Sequence, residues 1–328
     1  MQHPVVLAVV LGRRAVAIAF GVLLLTDAAA ATAQDVRDAK GGSRLEAQYT
    51  ASLAGIPVGK GTWTVEISGN RYSASATGGT VGLLKLFAGG NGRGAVRGSF
   101  AGLRPLMSAF TSTVRTERKT DEVRLLVNGG VVRDLSVEPP VDADPERVPV
   151  TEAHRRGIVD PMTASLIRVP GKEPPVGPQA CRDVSIFDGR ARYDVELVYK
   201  RIEQVKTEHG YDGPVVVCAI YFKPIAGFVL SRTAVKYLMR QRDMEAWLAP
   251  LAGTRVVVPY RISVPTPIGL AVLEATNFVS SVQSAANGKA PHDKASHDKA
   301  PHDKTAHDKT ANESGALDSG ADRSPAAR

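Results

Sequence analysis

Apolar and polar residues alternate along most of the chain between residues 45 and 278, with the two-residue period of a half-buried β-strand. In residues 45–53, Leu45, Ala47, Tyr49, Ala51 and Leu53 share one face, and Glu46, Gln48, Thr50 and Ser52 share the other. Gly55-Ile56-Pro57 interrupts the run. Trp63, Val65 and Ile67 resume it, Ser68-Gly69-Asn70 turns the chain, and Tyr72, Ala74 and Ala76 come back. This pattern predicts a hairpin meander. Residues 123–127 and 131–137 flank Asn128-Gly129-Gly130, residue types that accept the positive φ angles of a tight hairpin turn. Tyr193, Val195, Leu197 and Tyr199 alternate with Asp194, Glu196, Val198 and Lys200. A β-branched run at 215–221 follows Asp212-Gly213-Pro214. Tyr260, Ile262 and Val264 alternate again before Pro265-Thr266-Pro267, and 270–278 reads as the last strand.

Helical patterning is scarce. Asp160 followed by Pro161 is a helix-start signal, a side-chain cap before a residue that needs no amide partner. Residues 233–244 also admit a helix, with Val235, Leu238 and Met239 on one face, and 244–248 reads as a strand. The expected fold is mainly β: a single antiparallel sheet, strongly curved into an open or spiral barrel, with one short helix near Asp160. Curvature lets a long meander bury one face without a second layer.

The ends of the chain differ from its middle. Arg13 and Arg14 precede an uncharged apolar run at 15–25, and Ala31-Thr32-Ala33 fits a small-x-small cleavage site. The run is too short to span a bilayer, so residues 1–33 read as a cleaved signal peptide. Residues 34–282 read as a β-rich periplasmic domain that does not span the membrane. From 283 to 328 the chain is polar, with a five-residue His-Asp-Lys repeat that places His292, His297, His302 and His307 at equal intervals. Such a tail cannot bury enough apolar surface to offset its ordering entropy and is expected to be disordered. The four histidines are weak metal candidates, and a period of five does not bring them onto one helix face.

The formal net charge is +8. The arginines of the leader depart with it and the tail is neutral, so the folded part keeps a modest positive charge. That charge favours contact with anionic lipid or a glycan, or simply keeps the protein soluble. There is no dense basic block with interleaved aromatics, so nucleic acid is not an expected partner. Cys181 and Cys218 are the two cysteines. In an oxidising compartment a bridge is expected, worth up to about 4 kcal/mol, with two buried free thiols as the alternative.

No catalytic or cofactor constellation stands out. Gly98-Ser99-Phe100-Ala101-Gly102 carries its serine one place too early for a nucleophile elbow, and Gly59-Lys60-Gly61-Thr62 is not a phosphate loop. Gly92-Arg93-Gly94 with Gly98 reads as a turn between short strands. No cofactor is expected.

Several segments nevertheless resemble one family. Phe187-Asp188-Gly189-Arg190-Ala191-Arg192-Tyr193-Asp194-Val195 is similar to a signature of the bacterial domain-of-unknown-function family numbered 3108. So are Cys218 leading to Tyr221-Phe222-Lys223-Pro224, the Asp-led segment at 158–164, the opening from Tyr49 to Thr64, and the closing Trp247-Leu248, Pro259-Tyr260 and Gly269. The resemblance covers roughly 43–280 and implies an exported, β-rich protein of proteobacterial type with no assigned reaction.

Two functions are compatible with these features. In the first, the protein is a non-enzymatic periplasmic envelope factor, with lipid or an envelope protein as possible partner, that supports envelope integrity. It would hold an apolar ligand or partner segment in the hollow of the sheet, with Tyr49, Trp63, Val65, Tyr193, Leu197 and Tyr260 as groove candidates. Arg190 and Arg192, which alternation places on one face, are candidates for contact with an anionic group. In the second, it is an envelope hydrolase of lipid or glycan with dispersed groups such as Asp160, Asp188 and His154.

Overall fold

The computed structural model describes residues 42–82 and 89–283. The expected leader, and the expected tail with its four histidines, fall outside these residues except for Gln283, which ends the last strand.

The first seven strands form an uninterrupted meander: β1 Gly42–Leu53, β2 Ile56–Ser68, β3 Arg71–Thr80, β4 Gly90–Ala101, β5 Arg104–Thr116, β6 Thr120–Asn128 and β7 Val131–Glu138. A connecting stretch then holds a 3-10 turn at Glu152–Arg155, the one-turn helix α1 (Pro161–Ala164), the two-residue strand β8 (Ile167–Arg168) and a second 3-10 turn at Pro178–Ala180. The second half adds β9 Val184–Phe187, β10 Arg192–Lys206, β11 His209–Gly210, β12 Asp212–Ala226, α2 Thr233–Arg240, β13 Glu245–Pro250, β14 Val256–Thr266 and β15 Gly269–Gln283.

All fifteen strands join one sheet in the order β7-β6-β5-β4-β3-β2-β1-β15-β14-β13-β12-β10-β9, with β11 beside β15 and β8 beside β14. The pairs along this path are antiparallel. The two halves meet where the first strand pairs with the last, Leu45 opposite Ser280 and Leu53 opposite Ala271. The inward residues of β1, β2 and β3 are those of the alternating pattern, and Leu45, Val65, Tyr72 and Ala74 are all buried. The two-residue period thus places the core directly.

The sheet is not closed by a strand pair. Its edges β7 and β9 are bridged instead by residues 156–159: Arg156 pairs with Val131, and Val159 pairs in parallel with Ile186. The Ile158 amide donates to the Gly130 carbonyl at 3.1 Å, and the Val159 amide to the Ser185 carbonyl at 2.9 Å. A meander curled far enough for one four-residue strap to touch both edges is barrel-like and open.

Three features depart from the sequence reading. There are two helices among the described residues, not one, because α2 lies against β12. The glycine-rich stretch around Gly92, Gly94 and Gly98 is not a turn but the body of β4. Gly98 is there for space: a Cβ on it would stand 2.4 Å from the Tyr72 ring and 2.4 Å from the Met107 carbonyl oxygen. The last strand also runs past Phe278 to Gln283.

Candidate functional site

Cys181 and Cys218 are disulfide-bonded, their Cα atoms 5.7 Å apart. Cys181 follows the turn Pro178–Ala180, ahead of β9, and Cys218 is wholly buried in β12. The bridge ties the connecting stretch to the core of the second half. Of the groove candidates, Leu197 packs in the same buried cluster as Cys218, whereas Tyr49, Trp63, Val65 and Tyr260 belong to the larger cluster on the other face of β12. Tyr49, Trp63, Val65, Tyr193, Leu197 and Tyr260 are each no more than 8% exposed. The Tyr49 hydroxyl donates to the Pro259 carbonyl at 2.6 Å, and the Tyr49 and Trp63 rings lie 6.4 Å apart. In this structure the six are buried, and Tyr49 also borders the shallow outer cleft described below.

The dispersed carboxylates lie at the seam between the two sheet edges. Asp160 caps α1: its Oδ1 accepts from the Met162 and Thr163 amides at 3.1 and 2.9 Å. Asp188 closes a tight turn, its Oδ1 accepting from the Arg190 and Ala191 amides at 2.8 and 2.7 Å. Burial pushes both carboxyls above their ordinary range, against the pull of those hydrogen bonds. The Tyr193 hydroxyl is buried without a partner among the described residues, and burial, together with the charges of Asp188 and Asp160, raises its pKa. Each carboxylate therefore has a structural task. His154 likewise serves its own turn, its Nδ1 accepting from the Thr151 amide at 3.1 Å.

The turn at 187–190 is a clasp. Gly189 has φ +91°, and a Cβ there would stand 2.6 Å from Val123 Cγ1, with Leu135 and Val137 at 3.4 and 3.5 Å. The turn thus seats on the inner side of β6 and β7. Arg190 reaches the same edge, its Nη2 3.2 Å from Asp121 Oδ1 and donating to the carbonyls of Glu138 and Pro139 at 3.1 and 3.0 Å. Arg192 pairs with Asp194 at 2.8 Å. Arg190 is thus engaged within the chain, while Arg192 uses only Nη2 and its buried Nε and Nη1 have no partner among the described residues.

A different concavity lies on the outer face. A shallow cleft of about 600 Å³ opens across β1, β2, β3, β4 and β15. Register explains it. Thr50, Lys60, Gly79, Asn91 and Arg115 form one outward row, and Gln48, Thr62, Thr77, Arg93 and Thr113 form the next. Gly79 leaves no side chain between Lys60 and Asn91, whose backbones are two strand spacings or about 10 Å apart. The backbone of Gly61, Gly78 and Gly92 contributes to the lining. The walls are hydroxyl and amide groups, with Thr62 and Thr77 hydrogen-bonded at 2.9 Å. Lys60 and Arg93 line the cleft, and Arg115 is the cross-strand partner of Asn91 in its wall. Among the described residues none of the three makes an ion pair, whereas Arg44, farther along the same face, is paired with Glu66.

The profile of the family described as "Protein of unknown function (DUF3108)" matches residues 48–276, well over half of the chain. The chain is a member of the DUF3108 family. No curated protein matches it. Among solved structures it is similar to a β-barrel-like protein of the domain of unknown function DUF1849 from Brucella abortus, at 9% identity and a TM-score of 0.42, covering 74% of this chain and 97% of that one. The DUF3108 match begins at Gln48 and ends at Thr276, and both residues line the outer cleft. Sequence reasoning passed over this cleft because its lining comes from five strands. A signal was present: no acidic residue falls between Arg71 and Thr116, while β3, β4 and β5 carry Arg71, Arg93, Arg97, Arg104 and Arg115.

Proposed function

We propose that this DUF3108 protein is an exported, non-enzymatic binding protein of the cell envelope, and that its ligand is an anion bearing phosphate or carboxylate groups, held in the outer cleft. The observation that carries the reading is the set of cations Lys60, Arg93 and Arg115 beside the 600 Å³ cleft, without carboxylate partners among the described residues. Basic groups without carboxylate partners on a surface attract and retain anions. Threonine hydroxyls and the Gln48 and Asn91 amides offer hydrogen bonds to the hydroxyls of a sugar or glycerol unit. The packed interior supports a ligand on the outside of the sheet in place of one in its hollow. The disulfide supports a location in an oxidising compartment, and the leader-like residues 1–33 support export to the periplasm.

Titration calorimetry on the mature chain tests this, with tripolyphosphate and oligogalacturonate as phosphate and carboxylate probes. Exposed ion pairs are worth up to about 1 kcal/mol each, so Lys60→Glu with Arg93→Glu weakens binding by roughly 10- to 100-fold on that scale. Binding falls as salt is raised. No binding of either probe, or binding indifferent to the double substitution, refutes the reading.

A further inference from the structure

We infer that the rim beside the cleft docks on an anionic lipid bilayer, so that the groups reaching the cleft are lipid headgroups. The inference rests on the cleft reading and names the source of its anion. The β1–β2 turn and the β14–β15 turn are pressed together at this end of the sheet. The Ala54 amide donates to the Leu270 carbonyl at 2.9 Å, and a Cβ on Gly269 would come 2.6 Å from that of Ala54. The paired turns present Ile56, Ile268 and Leu270, which are 65%, 50% and 42% exposed. At the opposite end Leu103, Leu106, Met107 and Val282 are also exposed, but no paired turns of β1–β2 and β14–β15 gather them beside Lys60.

Large aliphatic side chains on the outermost point of two buttressed turns are costly in water unless something covers them. Lys60 lies four residues along β2 from Ile56, about 13 Å at strand rise. Arg115 ends the same row and Arg93 stands in the next. Glu274, the nearest carboxylate in the same row, faces Arg261 at 3.7 Å. An apolar edge backed by a cationic belt matches a bilayer: aliphatic tips enter the headgroup–acyl boundary while the basic groups meet lipid phosphates. Charge complementarity selects an anionic bilayer over a neutral one. The polar cleft then stands at headgroup depth.

Vesicle sedimentation with the mature chain tests the inference, using equimolar phosphatidylglycerol and phosphatidylcholine against phosphatidylcholine alone, with tripolyphosphate calorimetry in parallel. The expected result is retention on the anionic vesicles only. Ile56→Asp with Ile268→Asp lowers that retention at least tenfold and keeps tripolyphosphate binding, which also shows that the variant is folded. Lys60→Glu with Arg93→Glu lowers both. Met107→Asp, on an exposed apolar residue elsewhere, changes neither. Absence of vesicle binding, equal binding to neutral vesicles, indifference to the rim substitutions, or an equal loss with Met107→Asp overturns the inference while leaving the cleft reading standing. A concentration-dependent dimer abolished by the rim substitutions overturns it as well, by assigning the rim to a second copy. Loss of tripolyphosphate binding in the unsubstituted chain is the separate failure of the cleft reading.

Discussion

Gly189→Ala probes the clasp that holds the open sheet together. Two costs follow from the geometry at that position. The backbone there has φ +91°, where a side chain costs about 1–2 kcal/mol. The new methyl would also stand 2.6 Å from Val123 Cγ1, inside van der Waals contact. Overpacking of this kind costs about 1–3 kcal/mol. The sum is about 2–5 kcal/mol, which for a domain of this size lowers the melting temperature by roughly 4–20 °C. Urea unfolding of the purified chain measures it directly. The two costs separate on adding Val123→Ala, which makes room for the methyl and leaves the backbone strain. The double variant should be more stable than the sum of the single effects by about 1–3 kcal/mol, a coupling expected only of residues in contact. A loss below about 1 kcal/mol for Gly189→Ala, or strict additivity with Val123→Ala, refutes the picture of a turn seated on β6 and β7.

Three further outcomes are expected. Replacing Cys181 and Cys218 by serine lowers stability by about 2–4 kcal/mol, read as a fall in the urea midpoint, and reduction of the unsubstituted chain does the same. Glu245 accepts from Arg201 Nη1 and Nη2 at 2.9 Å each and also pairs with Lys200, which holds its carboxyl down to about 2. A depressed carboxyl contributes stability above about pH 4.5 that is lost as pH falls toward 2, so Glu245→Gln removes about 1–3 kcal/mol at pH 7 and almost nothing at pH 2, measured by thermal melts across that range. Asp160 has the opposite sign: burial raises its carboxyl, so the ionised form burdens the folded state as pH rises above about 4. Asp160→Asn, which keeps the capping oxygen, flattens that part of the stability profile, and an unchanged profile contradicts the burial argument.

β1, β2, β3, β6 and β7 of the meander were legible from the alternation of apolar and polar residues. Leu45, Ala47 and Tyr49 alternate with Glu46 and Gln48, and that parity survives into the structure. The Asp160 cap was legible for a related reason, since capping is settled within four residues. The pairing of β1 with β15 was not, because alternation states which face is buried and is silent about which distant strand lies alongside. β4 was hidden by its glycines, whose purpose appears only when Tyr72 is seen lying over Gly98. The Phe187-Asp188-Gly189 turn was visible as a turn, but its role as a clasp depends on Val123, Leu135 and Val137 being opposite. The groove candidates were selected as inward aromatics and aliphatics, and an inward residue of a curled sheet is core when the interior is filled. The cleft escaped because its cations are spread over β2, β4 and β5 and meet only through register.

The cleft reading is tested most directly by amide chemical shifts of the isotope-labelled chain during titration with tripolyphosphate. Gly61, Gly78, Gly79 and Gly92 lie on four adjoining positions of β2, β3 and β4 and line the cleft. The account predicts that these four resonances move together and saturate at one ligand concentration, and that Lys60→Glu with Arg93→Glu abolishes the movement. Resonances that stay in place while amides elsewhere respond contradict it.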